Sequence, residues 1–275
     1  MKSPIPYFGS KQRIAPWIVS LLPAHEHYVE PFCGGLSVLL AKKASRMETV
    51  NDLDQELITY WRVLRDRPDD LLRACMLTPH SRTELTRTWE PTEDELELAR
   101  RIWCRLAQGR SGTLRNTGWR YYIDPAGSVT SMPGYLEAYR DRLAAAAERL
   151  HDVSLECLPA LTLIGKYGAQ PDCLLYVDPP YLGSTRGWGR NYRTEMKSET
   201  EHRELAASLA DCQAAVVLSG YDSPLYLELY DDWHRYERST MTGNATSDKG
   251  RAEVLWSNRP LAGQTGLFAL EASRP

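Results

Sequence analysis

The chain has 275 residues, of which 43% are hydrophobic and 25% charged, so it is long enough to bury a full core. Its formal net charge of -3 gives no global sign of a nucleic-acid partner, and any basic surface must therefore be local. Its six cysteines form no Cys-x-x-Cys pair and no apolar run has the length of a membrane span, so we expect a cytoplasmic protein with no metal site, disulfide framework or membrane partner.

A short loop, Tyr7 to Lys11, precedes the first predicted helix, whose apolar residues run at helical spacing from Ile14 to Leu21. Gly9 would let a ligand approach the backbone closely, and the ammonium group of Lys11 could meet a carboxylate there. A plain turn has the same composition. The loop therefore predicts a binding function only in company with other motifs.

A strand, a glycine turn and a helix come next. His27 to Glu30 is predicted to be the strand and Leu36 to Ala44 the helix, with Gly34 and Gly35 in the turn between them. The glycines permit a nucleoside to approach the backbone, and the helix amino terminus offers free amides. The Gly-x-Gly-x-x-Gly fingerprint of dinucleotide-binding proteins is not met. The pattern therefore favours a nucleoside without pyrophosphate over a dehydrogenase cofactor.

The second predicted strand, Thr49 to Asn51, ends at Asp52 and is followed by a helix from Gln55 to Arg65. Asp52 lies 18 residues after Gly34, close to the spacing of roughly 20 residues at which an acidic residue meets ribose hydroxyls in nucleotide-binding α/β folds. The alternative role is a helix cap. Asp52 and Asp54 could divide the two roles between them.

From residue 67 to residue 168 the pattern changes to helices and loops, which indicates an insertion. Thr92 and Glu95 have the spacing of a capping box, and one helix from Tyr135 to Leu150 is predicted to close the helical part. Alternating apolar residues after it, beginning at Val153, predict that the sheet resumes there. The central strand still lies further on.

Arginines concentrate within this insertion, with no Asp or Glu between Arg100 and Arg120. Residues 109–122 mix arginine with Gly, Asn, Trp and Tyr, a composition suited to contacts with phosphates and base edges. A solvated arginine-rich loop is an equally good interpretation. The candidate DNA-binding residues are Arg110, Arg115, Asn116 and Arg120.

Cys173 to Val177 is a short apolar run, typical of a central parallel strand, and it ends at Asp178-Pro179-Pro180-Tyr181. Two successive prolines stiffen the loop. The Asp178 carboxylate and the Pro179 carbonyl then offer two hydrogen-bond acceptors beside the aromatic face of Tyr181. A planar group that carries an amine fits this set, although a lone Asp-Pro dipeptide more often marks a simple turn.

The rest of the chain alternates strand and helix, as a parallel sheet requires. The predicted features are a glycine-rich loop over the site at 183–192, a capping box at Ser198 and Glu201, a buried strand from Ala214 to Leu218, an antiparallel hairpin of Arg235 to Thr240 with Glu253 to Trp256 around the polar loop 242–250, and a further strand from Leu267 to Ala269.

Three motifs, in this order, resemble those of the Dam-like DNA adenine-N6 methyltransferases: Glu30-Pro31-Phe32-Cys33-Gly34-Gly35, Asn51-Asp52-Leu53-Asp54 and Asp178-Pro179-Pro180-Tyr181. The carboxyl-terminal segment Glu253 to Asn258 is also similar to a strand of that family. The resemblance spans most of the chain. Four motifs in the family order are a specific signal, whereas each alone would be weak.

The resemblance implies an α/β fold with a Rossmann-like methyltransferase sheet, mostly parallel, with an antiparallel carboxyl-terminal hairpin and a mainly helical inserted target-recognition domain. Residues 1–66 and 169–275 would form the catalytic domain that binds S-adenosylmethionine, and residues 67–168 the domain that recognises double-stranded DNA. A cognate restriction nuclease is an optional partner. The implied cofactor-binding residues are Tyr7, Gly9, Lys11, Glu30, Phe32, Gly34, Asp52 and Asp178, and the implied catalytic residues are Asp178, Pro179, Pro180 and Tyr181.

An adenine inside a duplex is out of reach of a methyl donor, so the enzyme would flip the base out of the helix and stack it on Tyr181. Two positions depart from the family pattern. Leu36 stands where the family has a small residue, and Ser10 stands where it has a glycine. Both changes bear on cofactor affinity more than on the type of reaction, because the carboxylates are intact.

Three alternatives stay open at this point. A cytosine-N4 methyltransferase would share the layout, but such enzymes typically have Ser in place of Asp178. An RNA or protein methyltransferase would share the Pro-Pro loop. A non-catalytic DNA-binding protein could keep the fold, although the intact Asp178 and Asp52 argue against it.

Overall fold

A β-sheet forms the centre of the fold, and the sequence predicts most of its strands. The computed structural model describes residues 1–122, 131–181, 196, 198–240 and 251–261, and within these ranges it contains one seven-stranded sheet. The strands are β1 (His27–Glu30), β2 (Met47–Asn51), β3 (Val153–Glu156), β4 (Cys173–Val177), β5 (Ala215–Gly220), β6 (His234–Thr240) and β7 (Arg251–Ser257).

The strand order is β3-β2-β1-β4-β5-β7-β6, in which β1 to β5 run parallel and β7 lies antiparallel between β5 and β6. The predicted mostly parallel sheet with a carboxyl-terminal hairpin is thus confirmed. β4 and β5 are buried along their whole length, because helices cover both faces of a parallel sheet. The chain order reverses between β1 and β4, the point where such sheets open a crevice at their carboxyl edge.

Helices pack on both faces of this sheet. They are α1 (Ala15–Leu21), α2 (Ser37–Ala41), α3 (Gln55–Asp66), α4 (Pro68–Leu77), α5 (Arg82–Arg87), α6 (Glu95–Gln108), α7 (Met132–Arg140), α8 (Leu143–Leu150), α9 (Ala160–Gly168), α10 (Glu199–Ala210) and α11 (Pro224–Leu229). None of the helices in the described ranges combines the length and the hydrophobicity needed to cross a membrane.

Two local predictions about these helices are wrong. Asp94, and not Thr92, caps α6, because its carboxylate accepts from the Leu96 and Glu97 amides while Glu95 forms an ion pair with Arg62. The single helix expected from residue 135 to residue 150 is two helices that meet at residues 141–142. The capping box at the start of α10 is confirmed, since both of its reciprocal hydrogen bonds are present.

The chain returns to the sheet at β3, which lies before residue 168, the predicted end of the insertion. β3 pairs with β2, with Leu155 opposite Val50, and α9 follows β3 directly. The helices α4, α6, α7 and α8 contribute to the same hydrophobic cluster as α3, through residues that include Leu71, Trp103, Leu136 and Leu143. These helices therefore share one core with the sheet. A recognition role for them stays a prediction.

Several predicted features lie outside the described residues. They are the glycine-rich loop at 183–192, the polar hairpin loop at 242–250 and the strand at 267–269.

The shared core predicts cooperative unfolding. Trp103 on α6 is fully buried, and its indole N–H has no hydrogen-bond partner among the described residues, so packing and a cation–π contact with Arg140 account for its contribution. We expect Trp103→Ala to lower the free energy of unfolding by about 3–5 kcal/mol. Denaturant unfolding followed by circular dichroism should still show one transition. Leu77→Ala, at a side chain that is 70% exposed, should change stability by less than about 0.5 kcal/mol. Two transitions, of which only one moves, would instead mean that α4–α8 fold separately.

Candidate active site

A cavity of about 310 Å³ opens where the chain order reverses, beyond the carboxyl ends of β1, β2 and β4. Its walls come from the amino-terminal loop, the glycine turn after β1, the segment after β2, the loop after β4 and one face of α10. Most of the residues that the sequence singled out meet here: Tyr7, Gly9, Lys11, Glu30, Phe32, Gly34, Asp52, Asp178 and Pro180 all line the cavity.

The glycine turn packs against the amino-terminal loop. Gly34 has a φ of +43°, and a Cβ added there would lie 2.9 Å from the ring of Tyr7. A Cβ at Gly35 would lie 2.9 Å from the Cβ of Tyr7. The predicted reason for these glycines was the close approach of a ligand. In the structure the neighbour that excludes a side chain is Tyr7, so the two motifs need each other to form one wall.

Two side chains join the turns at the carboxyl edge of the sheet. Asn51 is fully buried; its amide donates to the Pro31 and Leu158 carbonyls, and its oxygen accepts from the Leu158 amide. It thus ties together the segments after β1, β2 and β3. Ser10 contacts Ser37 at 2.6 Å between their hydroxyl oxygens, which fastens the amino-terminal loop to the start of α2.

Asp52 and Asp54 have different roles, and one of the two is the predicted helix cap. Asp54 caps α3, since its carboxylate accepts from the amides of Glu56 and Leu57. Asp52 accepts from the Gly34 amide at 3.0 Å through one oxygen and from the Asp54 amide at 3.0 Å through the other. Burial raises the pKa of Asp52 to about 6, while these amide hydrogen bonds oppose the shift. The Asp52 carboxylate faces the cavity, but its contact with a ribose stays a prediction.

Glu30 is held by the fold. One of its oxygens accepts from the Tyr28 hydroxyl at 2.7 Å and from the Leu39 amide at 2.8 Å, so it links β1 to the first turn of α2. Burial raises its pKa to about 8. Its side chain lies at the floor of the cavity, where a role in positioning α2 accompanies whatever contact it makes with a ligand.

The most connected group of the site is Lys11. Its ammonium lies 2.9 Å from Asp178 and 3.5 Å from Glu253, and it donates to the Gly9 carbonyl at 3.1 Å. Burial raises the pKa of Asp178, Lys11 lowers it and Glu253 raises it again. The lysine that the sequence placed in a cofactor motif is therefore the counter-ion of the predicted catalytic carboxylate.

Contacts of both its hydroxyl group and its ring fix the orientation of Tyr181. Its hydroxyl donates to Glu253 at 2.7 Å and lies 3.3 Å from the Ser219 hydroxyl, and the ammonium of Lys11 lies 4.6 Å from its ring centroid. The ring of Tyr221 meets it edge-on, with centroids 4.7 Å apart. Sequence reasoning gave no site role to Glu253. A carboxylate at the start of an otherwise apolar strand was the signal that could have found it.

Carboxyl groups dominate the charge of the cavity. Among the described residues that line the cavity, Lys11 is the sole cation, against six carboxyl groups: Glu30, Asp52, Asp54, Asp178, Glu201 and Glu204. Such a wall repels phosphate and attracts a cation. Within the described ranges no group of three or more side chains has the arrangement of a metal site. The carboxyl-rich lining suits a ligand with positive charge and no phosphate.

The predicted DNA-binding residues lie on a loop beside the cavity, and not in it. Gly109 and Trp119 form an isolated antiparallel bridge that closes the loop, on which Arg110 and Asn116 are exposed while Arg115 and Arg120 are half-buried. The Phe8 amide donates to the Gly112 carbonyl at 2.8 Å, which joins this loop to the amino-terminal wall of the cavity.

The arginines on α6 have internal partners. Arg100 pairs with Glu84 and Glu97, Arg101 pairs with Glu97, and the buried Arg105 pairs with Glu56 at 2.7 Å. Half of the arginine-rich stretch is thus neutralised by carboxylates that come from outside it. The candidate DNA-binding surface is therefore limited to the loop after α6.

The chain is similar to known proteins over most of its length. A family model described as D12 class N6 adenine-specific DNA methyltransferase matches residues 7–244. The Type II methyltransferase M1.LlaDCHI of Lactococcus lactis subsp. cremoris is 26% identical over 91% of this chain and 93% of its own length. The modification methylase LlaI of Lactococcus lactis subsp. lactis is 24% identical over 70% of this chain, which covers 32% of that longer protein.

Among solved structures, the chain aligns with a precorrin 8w decarboxylase of Methanobacterium thermoautotrophicum at 13% identity over 94% of this chain and 95% of that one. The TM-score of 0.39 makes this likeness too distant to inform the fold or the activity.

The charge cluster predicts opposite shifts of one pKa. Lys11→Met should raise the pKa of Asp178 further, because the carboxylate loses its nearest cation, whereas Glu253→Gln should lower it, because a neighbouring negative charge disappears. Carbon NMR of aspartate-labelled protein, titrated with pH, measures both. Lys43→Met, at an exposed lysine on the far edge of the sheet, should leave the value unchanged. Shifts of the same sign in the two site variants would contradict this electrostatic description.

Proposed function

The chain belongs to the D12 class N6 adenine-specific DNA methyltransferases, and on this premise we propose that it transfers a methyl group from S-adenosylmethionine to the N6 amine of an adenine flipped out of double-stranded DNA. Methylation of DNA at adenine N6 is the activity of the family. The cofactor, the flipped base and the residue roles below are the proposal. One observation carries it: a single cavity contains the glycine turn, Asp52 and the Asp178 loop.

The residues of the cavity fit S-adenosylmethionine. This molecule carries a sulfonium, an ammonium and a carboxylate group and no phosphate, so its net charge is positive, which matches a wall rich in carboxyl groups. Burial raises the pKa values of Glu30, Asp52 and Asp178, so a bound cation would favour their ionised forms. Phe32, Gly34 and Asp52 would hold the nucleoside. When bound, S-adenosylmethionine supplies an electrophilic methyl group.

Asp178 and Pro179 would act on the adenine amine. The lone pair of this amine is delocalised into the ring, so the amine is a poor nucleophile. Two acceptors, the Asp178 carboxylate and the Pro179 carbonyl, would bind its two hydrogens and favour a tetrahedral nitrogen. Lys11 favours the ionised form of Asp178 and fixes its direction, because its ammonium lies 2.9 Å away.

Tyr181 would stack on the flipped adenine. Its hydroxyl is anchored by Glu253, so the ring is presented in one orientation before DNA arrives. Because Lys11 and Tyr221 both contact this ring, the adenine would take the ring surface that they leave open. The energy of such stacking is about 1–3 kcal/mol per base.

DNA recognition is assigned to the loop after α6, through Arg110, Arg115, Asn116 and Arg120, with the helices between α3 and β3 as its support. The contact between Phe8 and Gly112 supports this assignment, because it places the loop next to the cavity wall. The relative aligned over nearly its full length is a Type II methyltransferase by name. We therefore propose a role in a restriction-modification system, with a cognate nuclease as partner.

The reaction is tested by its product. Expression in a methylation-deficient bacterial host, followed by mass spectrometry of DNA nucleosides, should reveal N6-methyladenine. Asp178→Ala should abolish it, and Tyr181→Ala should slow turnover by the equivalent of about 1–3 kcal/mol. The exposed Asp211→Ala is the matched control and should retain full activity. N4-methylcytosine as the product, or an active Asp178→Ala enzyme, would refute the proposal.

The cofactor role of Asp52 predicts a pH-dependent affinity. The pKa of Asp52 is raised to about 6, so its carboxylate loses its charge as the pH falls through that value. Calorimetry should show S-adenosylmethionine binding that weakens from pH 7 to pH 5. Asp52→Ala should cost about 1–3 kcal/mol at pH 7. Asp52→Asn should bind weakly at both pH values, and Asp211→Asn should behave like the wild type. An unchanged affinity in a folded Asp52→Ala protein would remove Asp52 from the ribose contact.

A further inference from the structure

A second cleft, of about 760 Å³, lies beside the catalytic cavity and shares Tyr7 and Ser10 with it. Its charge is the opposite of the cavity's. The described residues that line it include three cations and no carboxyl group, and the cations are Lys2, Arg13 and Arg120. The amide of Gln12 and the hydroxyls of Ser10, Ser111 and Tyr139 complete its polar lining.

Two of these cations are available to a ligand. Lys2 and Arg13 are exposed, and neither forms an ion pair with a carboxylate of the described residues. Arg120 is already partly engaged, since its guanidinium lies 4.9 Å from the centroid of the Tyr135 ring and donates to the Gly109 carbonyl. All three cations add positive charge to the cleft, and Lys2 and Arg13 are the two whose side chains are exposed.

The floor of the cleft is built from two segments that fit tightly. The Phe8 amide donates to the Gly112 carbonyl at 2.8 Å, and Gly112 has a φ of +61°. A Cβ at Gly112 would lie 3.1 Å from the Pro6 carbonyl oxygen. The amino-terminal segment and the arginine-bearing loop thus meet without room for a side chain between them. They form one continuous surface next to the cavity.

We propose that this cleft binds the phosphodiester backbone of the DNA strand next to the target adenine, with Lys2 and Arg13 as phosphate contacts. The inference rests on the proposed function. A flipped base has to reach Asp178 while its phosphates stay outside a cavity whose carboxyl groups repel them. A cationic cleft that shares a wall with that cavity satisfies both requirements, and exposed Lys and Arg side chains are the usual phosphate ligands.

Salt-dependent binding of duplex DNA, in the presence of a non-reactive analogue of S-adenosylmethionine, tests the inference. Each lost phosphate contact should reduce the slope of log affinity against log salt by about 0.9, equivalent to roughly eightfold weaker binding at 0.1 M salt. We expect this for Lys2→Ala and for Arg13→Ala, to the same extent on every DNA sequence. Lys166→Ala and Arg46→Ala are matched controls, because both side chains are exposed and neither lines the cleft. Both controls should keep the wild-type slope.

The outcomes separate this inference from the proposed function. Failure of the wild-type protein to form N6-methyladenine would refute the function, whatever the slopes are. A wild-type protein that methylates, with Lys2→Ala and Arg13→Ala slopes equal to those of the controls, would overturn the cleft alone. Loss of affinity confined to one DNA sequence would also overturn it, since it would indicate contact with a base edge. Calorimetry of cofactor binding and circular dichroism should show that both variants are folded and bind the cofactor normally.

Discussion

The ion pair between Lys11 and Asp178 is the contact on which the geometry of the site depends. It joins the loop before the first helix to the end of the central strand, and these segments are brought together by the fold alone. Glu253 adds a second carboxylate from the hairpin, so one ammonium balances two negative charges and supports the ring of Tyr181. Removing one member of such a partly buried cluster leaves a charge without its partner, which is far more costly than losing a surface ion pair.

The cavity and the cleft differ in charge and share Tyr7 in their walls. Among the described residues, carboxyl groups predominate in the cavity, whereas three cations and no carboxyl group line the cleft. A phosphate placed near Asp178 would raise the pKa of its carboxyl group further, because it would add a second negative charge beside it.

The sequence predicted strands and strand-end loops well because both carry strong local signals: apolar runs, paired glycines and paired prolines. The alternation that begins at Val153 likewise predicted the return of the sheet, which β3 confirms by pairing with β2. Prediction failed where the deciding partner lies outside the stretch that carries the pattern. The α6 arginines looked unpaired because their carboxylates lie outside the local stretch. Glu253 gained its role only when the hairpin brought it beside Lys11.

The backbone conformation of Leu36 is a feature of the glycine turn that its amino-acid composition does not predict. Leu36 adopts a φ of +54°, a left-handed conformation that costs a leucine roughly 1–2 kcal/mol, while its side chain is fully buried in the hydrophobic core. Burial of the Leu36 side chain therefore helps to hold the turn in shape, in addition to the backbone freedom of Gly34. The core residues that pack around Leu36 therefore influence the shape of the cavity indirectly, through the glycine turn. Over evolutionary time, substitutions among them would retune affinity without any change in a residue that touches the ligand.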